Sequence, residues 1–308
     1  MNTGPTLAPL FQPAGRRARG LWRPGRPLDS ITAGVKAIWL LACFLLLART
    51  AARAIAPSAP DERAPHAGPE RSVGSETWLK KADPTGDATV QPVVVVGAGG
   101  HAKVIIELIQ AQGFYHVVGL IDADPTPRTV LGVRVIGADH DLARVHGSGV
   151  QKAFVALGDN RRRLVIGRDL EHIGFEIINA ISRAAVISPS AQLGHGVAVM
   201  AGAVVNAATT IGDFAIVNTG ASIDHDSAIG EGAHIGPGCA LAGNVRIGRL
   251  ACLGVGTSAT PGTTVGAGAL VGAGACIVRD IPDAAVARGV PARVVNFQQD
   301  HERHKHDR

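Results

Sequence analysis

From Ile187 onward an aliphatic residue returns every sixth position, at 193, 199, 205, 211, 217, 223, 229, 235, 241, 247 and 253, gives way to Ala259, and resumes at 265, 271 and 277. These sixteen hexads run without an insertion. A small or short side chain often stands four places after the aliphatic one (Ala203, Thr209, Ala215, Ala221, Ser227, Ala233, Cys239), and glycine often follows it directly, as in Ile229-Gly230 and Ile235-Gly236. A period of six predicts a triangular parallel β-solenoid, each of whose three short sides turns one aliphatic residue inward and places a small one at the corner. Eighteen residues per coil gives about five coils, stacked at about 4.8 Å by interstrand hydrogen bonds.

Upstream the pattern is different. Val93 to Val96 form a buried-strand run that meets a glycine-rich turn, followed by Val104, Ile105, Leu108 and Ile109 at helical spacing. "HVVGLIDAD", "GVRVIG", "KAFVALGDN" and "FEIINAI" read as further strands, separated by the helical stretches "DHDLARV" and "RRRLVIGRDLEHIG". The alternation predicts a small parallel sheet ending near Ser182. Residues 1–91 hold one uncharged apolar run, Ala37 to Ala48, between Lys36 and Arg49. Its length falls short of the roughly 20 residues that a membrane span needs, so no stable span is expected. The run reads as a signal-peptide core, an interfacial anchor or part of an unstructured, dispensable leader. The expected organisation is a leader over 1–91, an α/β domain over 92–182, the solenoid over 183–296 and a polar tail over 297–308.

The composition fits a core without large rings: 39 glycines, 46% hydrophobic residues and only 4% aromatic. The net charge of +5 is misleading, because residues 1–60 carry eight Lys/Arg against Asp29 alone, or +7, which leaves 5 − 7 = −2 for the remainder. A near-neutral folded part argues against nucleic-acid binding, which needs clustered cations to replace phosphate counterions. Cys43, Cys239, Cys252 and Cys276 have neither CxxC nor paired metal spacing, and read as reduced residues of a cytoplasmic protein.

Two stretches carry candidate chemistry. In "VGAGGHAKV", Gly97, Gly99 and Gly100 stand where glycine lets the backbone approach an anion at a helix N-terminus, and Asp122 closes the next strand, a place to accept hydroxyl hydrogen bonds. The same residues also fit a tight βα turn that binds nothing. In "IVNTGASIDHDSAIGEGAHIGPG", His225 lies between Asp224 and Asp226, two places after the inward Ile223, and is expected to project outward. An outward imidazole with a carboxylate on one ring nitrogen is a general base; a solvated surface histidine is the alternative. His195 reads as a surface residue, and His301, His304 and His306 as part of the polar tail.

With "VGAGGHAKV", "LIDAD", "ALGDNRRR", "NTGASIDHDSAIGEGAHIGPG", "AGNVRIG" and "ARGVPARVV", the chain from about Pro92 to Val295 resembles the hexapeptide-repeat acyltransferases that acetylate nucleotide-activated amino sugars or sialic acid. The resemblance implies an α/β N-terminal Rossmann-like domain followed by an all-β left-handed parallel β-helix, assembled as a homotrimer with active sites between subunits. It implies His225 as general base and Asp226 as the acid that raises its basicity. It places Gly99, Gly100, His101, Asp122, Ala123 and Gly158 at the sugar nucleotide, and His234, Val255 and Ala273 at the co-substrate acetyl-CoA, with no metal. His234 also reads as a surface turn residue. The expected reaction is direct acetyl transfer to the amine of a UDP-4-amino sugar for surface glycan synthesis, with sialic acid O-acetylation as the alternative. A solenoid scaffold that binds a sugar nucleotide without turnover, and a zinc-dependent γ-type carbonic anhydrase, are the competing classes; the second needs a closely spaced histidine pair.

Overall fold

The computed structural model describes residues 90–298. The apolar run of the leader and the tail histidines lie outside the described residues.

β1 (Gln91–Val96) runs through the centre of a parallel sheet, its valines fully buried because helices cover both faces. It pairs with β2 (Tyr115–Ile121) on one side. An edge hairpin of β3 (Thr129–Val130) and β4 (Val133–Gly137) continues the sheet past β2. On the other side of β1 lie β5 (Lys152–Val155) and then β6 (Glu176–Ile177), giving the order β3-β4-β2-β1-β5-β6. Three helices connect the strands: α1 (Gly100–Gln112), α2 (Leu142–Gly147) and α3 (Asn160–Ile173). α1 buries Ala102, Ile105, Ile106, Leu108 and Ile109. Val104, read above as part of that stripe, is exposed, because the 3.6-residue period puts Ile106 rather than Val104 on the core side. α3 starts at Asp159, whose carboxylate accepts the Arg162 N–H at 2.7 Å, and stops at Gly174 in the left-handed conformation.

The solenoid is built of two-residue rungs, each paired in parallel with the rung 18 residues on. The first rung, Ala180–Ile181, lies ahead of residue 183 and one hexad before Ile187, in phase with the repeat. One face carries the rungs that begin at 180, 198, 216, 234, 252 and 270, the second those at 186, 204, 222, 240, 258 and 276, and the third those at 192, 210, 228, 246 and 264. The second residue of each rung points inward: Val199, Val217, Ile235, Leu253, Val205, Ile223 and Leu241 share one dry core, and Ala259 keeps its inward place. Burying each large aliphatic side chain there stabilises the fold by about 1.5–3 kcal/mol. An antiparallel hairpin, Ala285–Arg288 with Arg293–Phe297, is added to the end of the first face. "ARGVPARVV" forms this hairpin, which runs into the region read above as tail.

The first face also has an outward role. Ala180, Ala198, Met200 and Ile216 are buried against Val93, Val95, Ile105, Ile109 and Phe154, so the outer wall of the early coils completes one layer of the α/β core.

Candidate active site

The turn after β1 has to be glycine at its first position. Gly97 sits at φ 109° with its N–H on the Ile121 carbonyl at 2.7 Å, and a Cβ there would lie 2.8 Å from the Ala156 carbonyl oxygen. Gly99 and Gly100 are exposed, with open space where a side chain would stand, next to the free N–H groups of the first turn of α1. Asp122 closes this turn. Its carboxylate accepts the Ala98 N–H at 2.7 Å and the Asp124 N–H at 3.0 Å, and pairs with Arg128 at 3.2 Å. A carboxylate offers about four lone-pair positions, so most of its capacity already holds the loop. Ala123 and Gly158 are exposed beside this strand edge.

His101 and His234 meet where the α/β domain joins the solenoid. His101 is half-buried, and its Nε2 is buried without a hydrogen-bond partner among the described residues. His234 opens a rung of the first face, and its Nε2 accepts from the Asn218 amide at 3.0 Å. Burial, and then the Arg163 cation, lower each imidazole to about 4, and each is therefore neutral at pH 7. Arg163 itself is fully buried in α3 and donates to the carbonyls of Phe214 (2.8 Å), Leu157 (2.9 Å), Gly158 (3.3 Å) and Gly232 (2.8 Å) and to Asn160 Oδ1 (2.9 Å). Burial brings it down to about 10, which leaves it charged. The Asn160 amide adds bonds to the Leu250 and Ala251 carbonyls. Val255 and Ala273, 18 residues apart, stand exposed on consecutive coils at the corner after the first face.

His195 is not a surface residue. α3 lies over its coil, so the ring is half-buried, pairs with Glu171 and, at 3.1 Å, with Asp213, and stacks edge-on against Phe214.

His225 stands at the corner after the second face, with its side chain 59% exposed. Its Nδ1 lies 2.7 Å from Asp226 Oδ2, and its backbone N–H donates to Asp224 Oδ1 at 2.8 Å. Asn206, one coil earlier, donates to the same Asp224 oxygen at 3.0 Å. Asp226 holds a left-handed backbone, φ 58°, with its N–H on the Ala207 carbonyl, so the side chain turns back toward the imidazole. The bond to Asp226 and then the charge of Asp224 raise the imidazole above its ordinary value. With Nδ1–H donated to Asp226, Nε2 carries the lone pair. This is the arrangement of a general base with its orienting acid.

Residues 92–170 match the PglD N-terminal domain family. A mutant of GDP-perosamine N-acetyltransferase from Caulobacter crescentus, in complex with CoA and GDP-perosamine, is 51% identical, covers 67% of this chain and 97% of its own, and superposes with a TM-score of 0.65. The chain belongs to the hexapeptide-repeat sugar acetyltransferases with an N-terminal Rossmann-like domain. The acetyltransferase domain of PglB from Neisseria gonorrhoeae, in complex with acetyl coenzyme A, is 40% identical over 67% of this chain and all of its own, at a TM-score of 0.63. A protein of Acanthamoeba polyphaga mimivirus is 33% identical over 104 residues, and the match spans 20% of its length. As a member of this family the chain is an acetyl-CoA-dependent acyltransferase, and its solenoid is the family's left-handed β-helix.

In this acetyltransferase the candidate residues fall into two groups. Gly99, Gly100, His101, Asp122 and Gly158 gather around the first βα turn and Arg163, and His234 meets them from the solenoid wall. His225 stands apart, nine residues and half a coil before His234, at the corner after the second face, whereas His234 opens a rung of the first. Val255 and Ala273 stand at the corner that follows His234's face, a different corner from that of His225. Sequence reasoning missed Asn160, Arg163, Asn206 and Asn218. Among three consecutive arginines, Arg163 shares the buried stripe of α3 with Leu164, Gly167 and Leu170, a helical spacing that singles it out. Asn206 is findable from the 18-residue coil, which stacks it on Asp224.

Proposed function

We propose that this acetyltransferase moves the acetyl group of acetyl-CoA onto the amine of a nucleotide-linked amino sugar, with GDP-perosamine as the first candidate. The observation that carries this reading is the 51% identity, over 97% of its length, to a GDP-perosamine N-acetyltransferase held with CoA and GDP-perosamine. That neighbour favours a GDP-linked over a UDP-linked acceptor.

The sugar nucleotide lies at Gly99, Gly100, His101, Asp122, Ala123 and Gly158, where open glycines and unpaired helix N–H groups suit its diphosphate. Acetyl-CoA lies along His234, Val255 and Ala273. The amine nitrogen attacks the thioester carbonyl while His225 Nε2 takes its proton. Asp226 stabilises the imidazolium through Nδ1–H. The tetrahedral intermediate expels the CoA thiolate, and His225 returns the proton to sulfur. No acyl-enzyme is formed. Because His225 and the acetyl-CoA residues occupy different corners of one solenoid, the working site draws on a second copy, which supports the homotrimer. Cys239, Cys252 and Cys276 are free thiols, in keeping with work in the cytoplasm, and the N-acetylated sugar nucleotide serves as a donor for surface glycan.

The test follows CoA release by the full chain with GDP-perosamine, a UDP-4-amino sugar and sialic acid. Turnover on a nucleotide-linked amine, falling by ~10²-fold or more in His225→Ala, is the expected result. An acid limb that moves to lower pH in Asp226→Asn follows from losing the first cause of the raised imidazole. Turnover on sialic acid alone would shift the acceptor to a hydroxyl, and no turnover on any acceptor would return the chain to a binding scaffold.

A further inference from the structure

One coil beyond His225, at the same corner, stands Gly243. A Cβ built on it would lie 2.7 Å from His225 Cε1, 2.8 Å from Nε2 and 3.3 Å from Nδ1, and these are its three nearest atoms. The imidazole therefore lies across the space that any other residue at 243 would fill. The φ of Gly243 is outside the left-handed region, so its backbone accommodates alanine and needs no glycine for its own sake. Other glycines of the solenoid differ in this respect. A Cβ at Gly212 would strike the Glu231 backbone nitrogen at 2.6 Å, and one at Gly248 the Ala267 nitrogen at 2.5 Å. Those two keep neighbouring coils in contact; Gly243 leaves room for a ring.

We propose that Gly243 is a positioning residue for the transfer: its missing side chain is the seat on which the His225 imidazole lies while Nδ1 holds Asp226 and Nε2 is presented to the acceptor. The proposal rests on His225 being the general base. A methyl group at 243 pushes the ring off this seat. The 2.7 Å bond to Asp226 then lengthens and Nε2 is displaced, an error of the size that costs up to about 10²-fold in an oriented reaction. The charged groups facing the ring are Asp226 and Asp224. Asn206 and Ala207 on the coil before, and Gly243 and Asn244 on the coil after, bring no charge.

The experiment compares full-length wild type, Gly243→Ala, His225→Ala and the double variant by CoA release with GDP-perosamine. Gly243→Ala is expected to lower kcat by about 10- to 10²-fold, to leave both KM values within about threefold, and to move the acid limb to lower pH as the imidazole loses Asp226. In the His225→Ala background the same change is expected to add less than about twofold, because groups that act as one unit are not additive. Wild-type kcat and pH profile in Gly243→Ala, or an equal loss in both backgrounds, would overturn the proposal. If instead His225→Ala turns over like wild type, the general-base reading fails first. Should Gly243→Ala fail to fold, a double variant that folds supports the seat, since only the ring was crowded; a double variant that also fails refutes it.

Discussion

The α/β domain and the solenoid place chemistry in opposite ways. In the α/β domain the candidate residues sit where strands stop and a helix starts, at the turn after β1 with the first turn of α1 and at the loops after β2 and β5, and the turn after β1 demands glycine at φ 109°. In the solenoid the backbone repeats coil after coil, and His225 is added to an ordinary corner without interrupting the rungs on either side. A fold built from local turns ties function to its backbone. A repeat keeps the two separable, because each coil depends on its inward residues and its neighbours and leaves the corner free.

The joint between the regions is where that contrast can be broken hardest. Arg163→Met removes the donor that satisfies the Phe214 and Gly232 carbonyls across the joint and the Leu157 carbonyl within the α/β domain, and is expected to lower the unfolding free energy by about 3 kcal/mol or more in urea denaturation. A loss under about 1 kcal/mol would mean that water replaces those bonds.

Acidification comes next. His101 and His234 are held down to about 4 in the fold against 6.5 unfolded, so protons favour the unfolded chain. Their contribution is fully present above pH 6.5 and is lost as pH falls toward about 4. A thermal midpoint that drops over that window in wild type, and drops less in His101→Gln, would bear this out. His225 has the opposite sign, its raised imidazole favouring the fold at low pH, and at an exposed corner its share is small.

The smallest effect sharpens the comparison most. His225→Ala is expected to leave stability within about 0.5 kcal/mol, as for an exposed surface change, while lowering transfer by ~10²-fold or more. A large loss of stability would show that the corner belongs to the frame after all.

Much of this was legible beforehand. The six-residue period marks the inward position of every rung from Ile187 to Ile277, and even Ala259 keeps its place in the core. The βα turn announced itself through its glycines. His195 escaped, because its burial depends on α3, which arrives from residues 22 to 35 positions earlier and leaves no periodic trace near it. Asp122 was visible as an acid at a strand end, but not as the clamp that holds Ala98, Asp124 and Arg128.

The chain by itself determined which residues face the solenoid core, where the α/β unit begins its glycine turn, and that an acid-flanked histidine stands outside the repeat. Those features follow from local periodicity and near-neighbour stacking, which a linear pattern records. Only the tertiary structure decided that Ala198 and Ile216 are buried outward, that Arg163 bridges both regions, that His101 and His234 come together as neutral imidazoles, and that Gly243 lies under the His225 ring. These depend on which surfaces meet across long separations, and a surface position in the repeat carries no mark of the partner that will cover it.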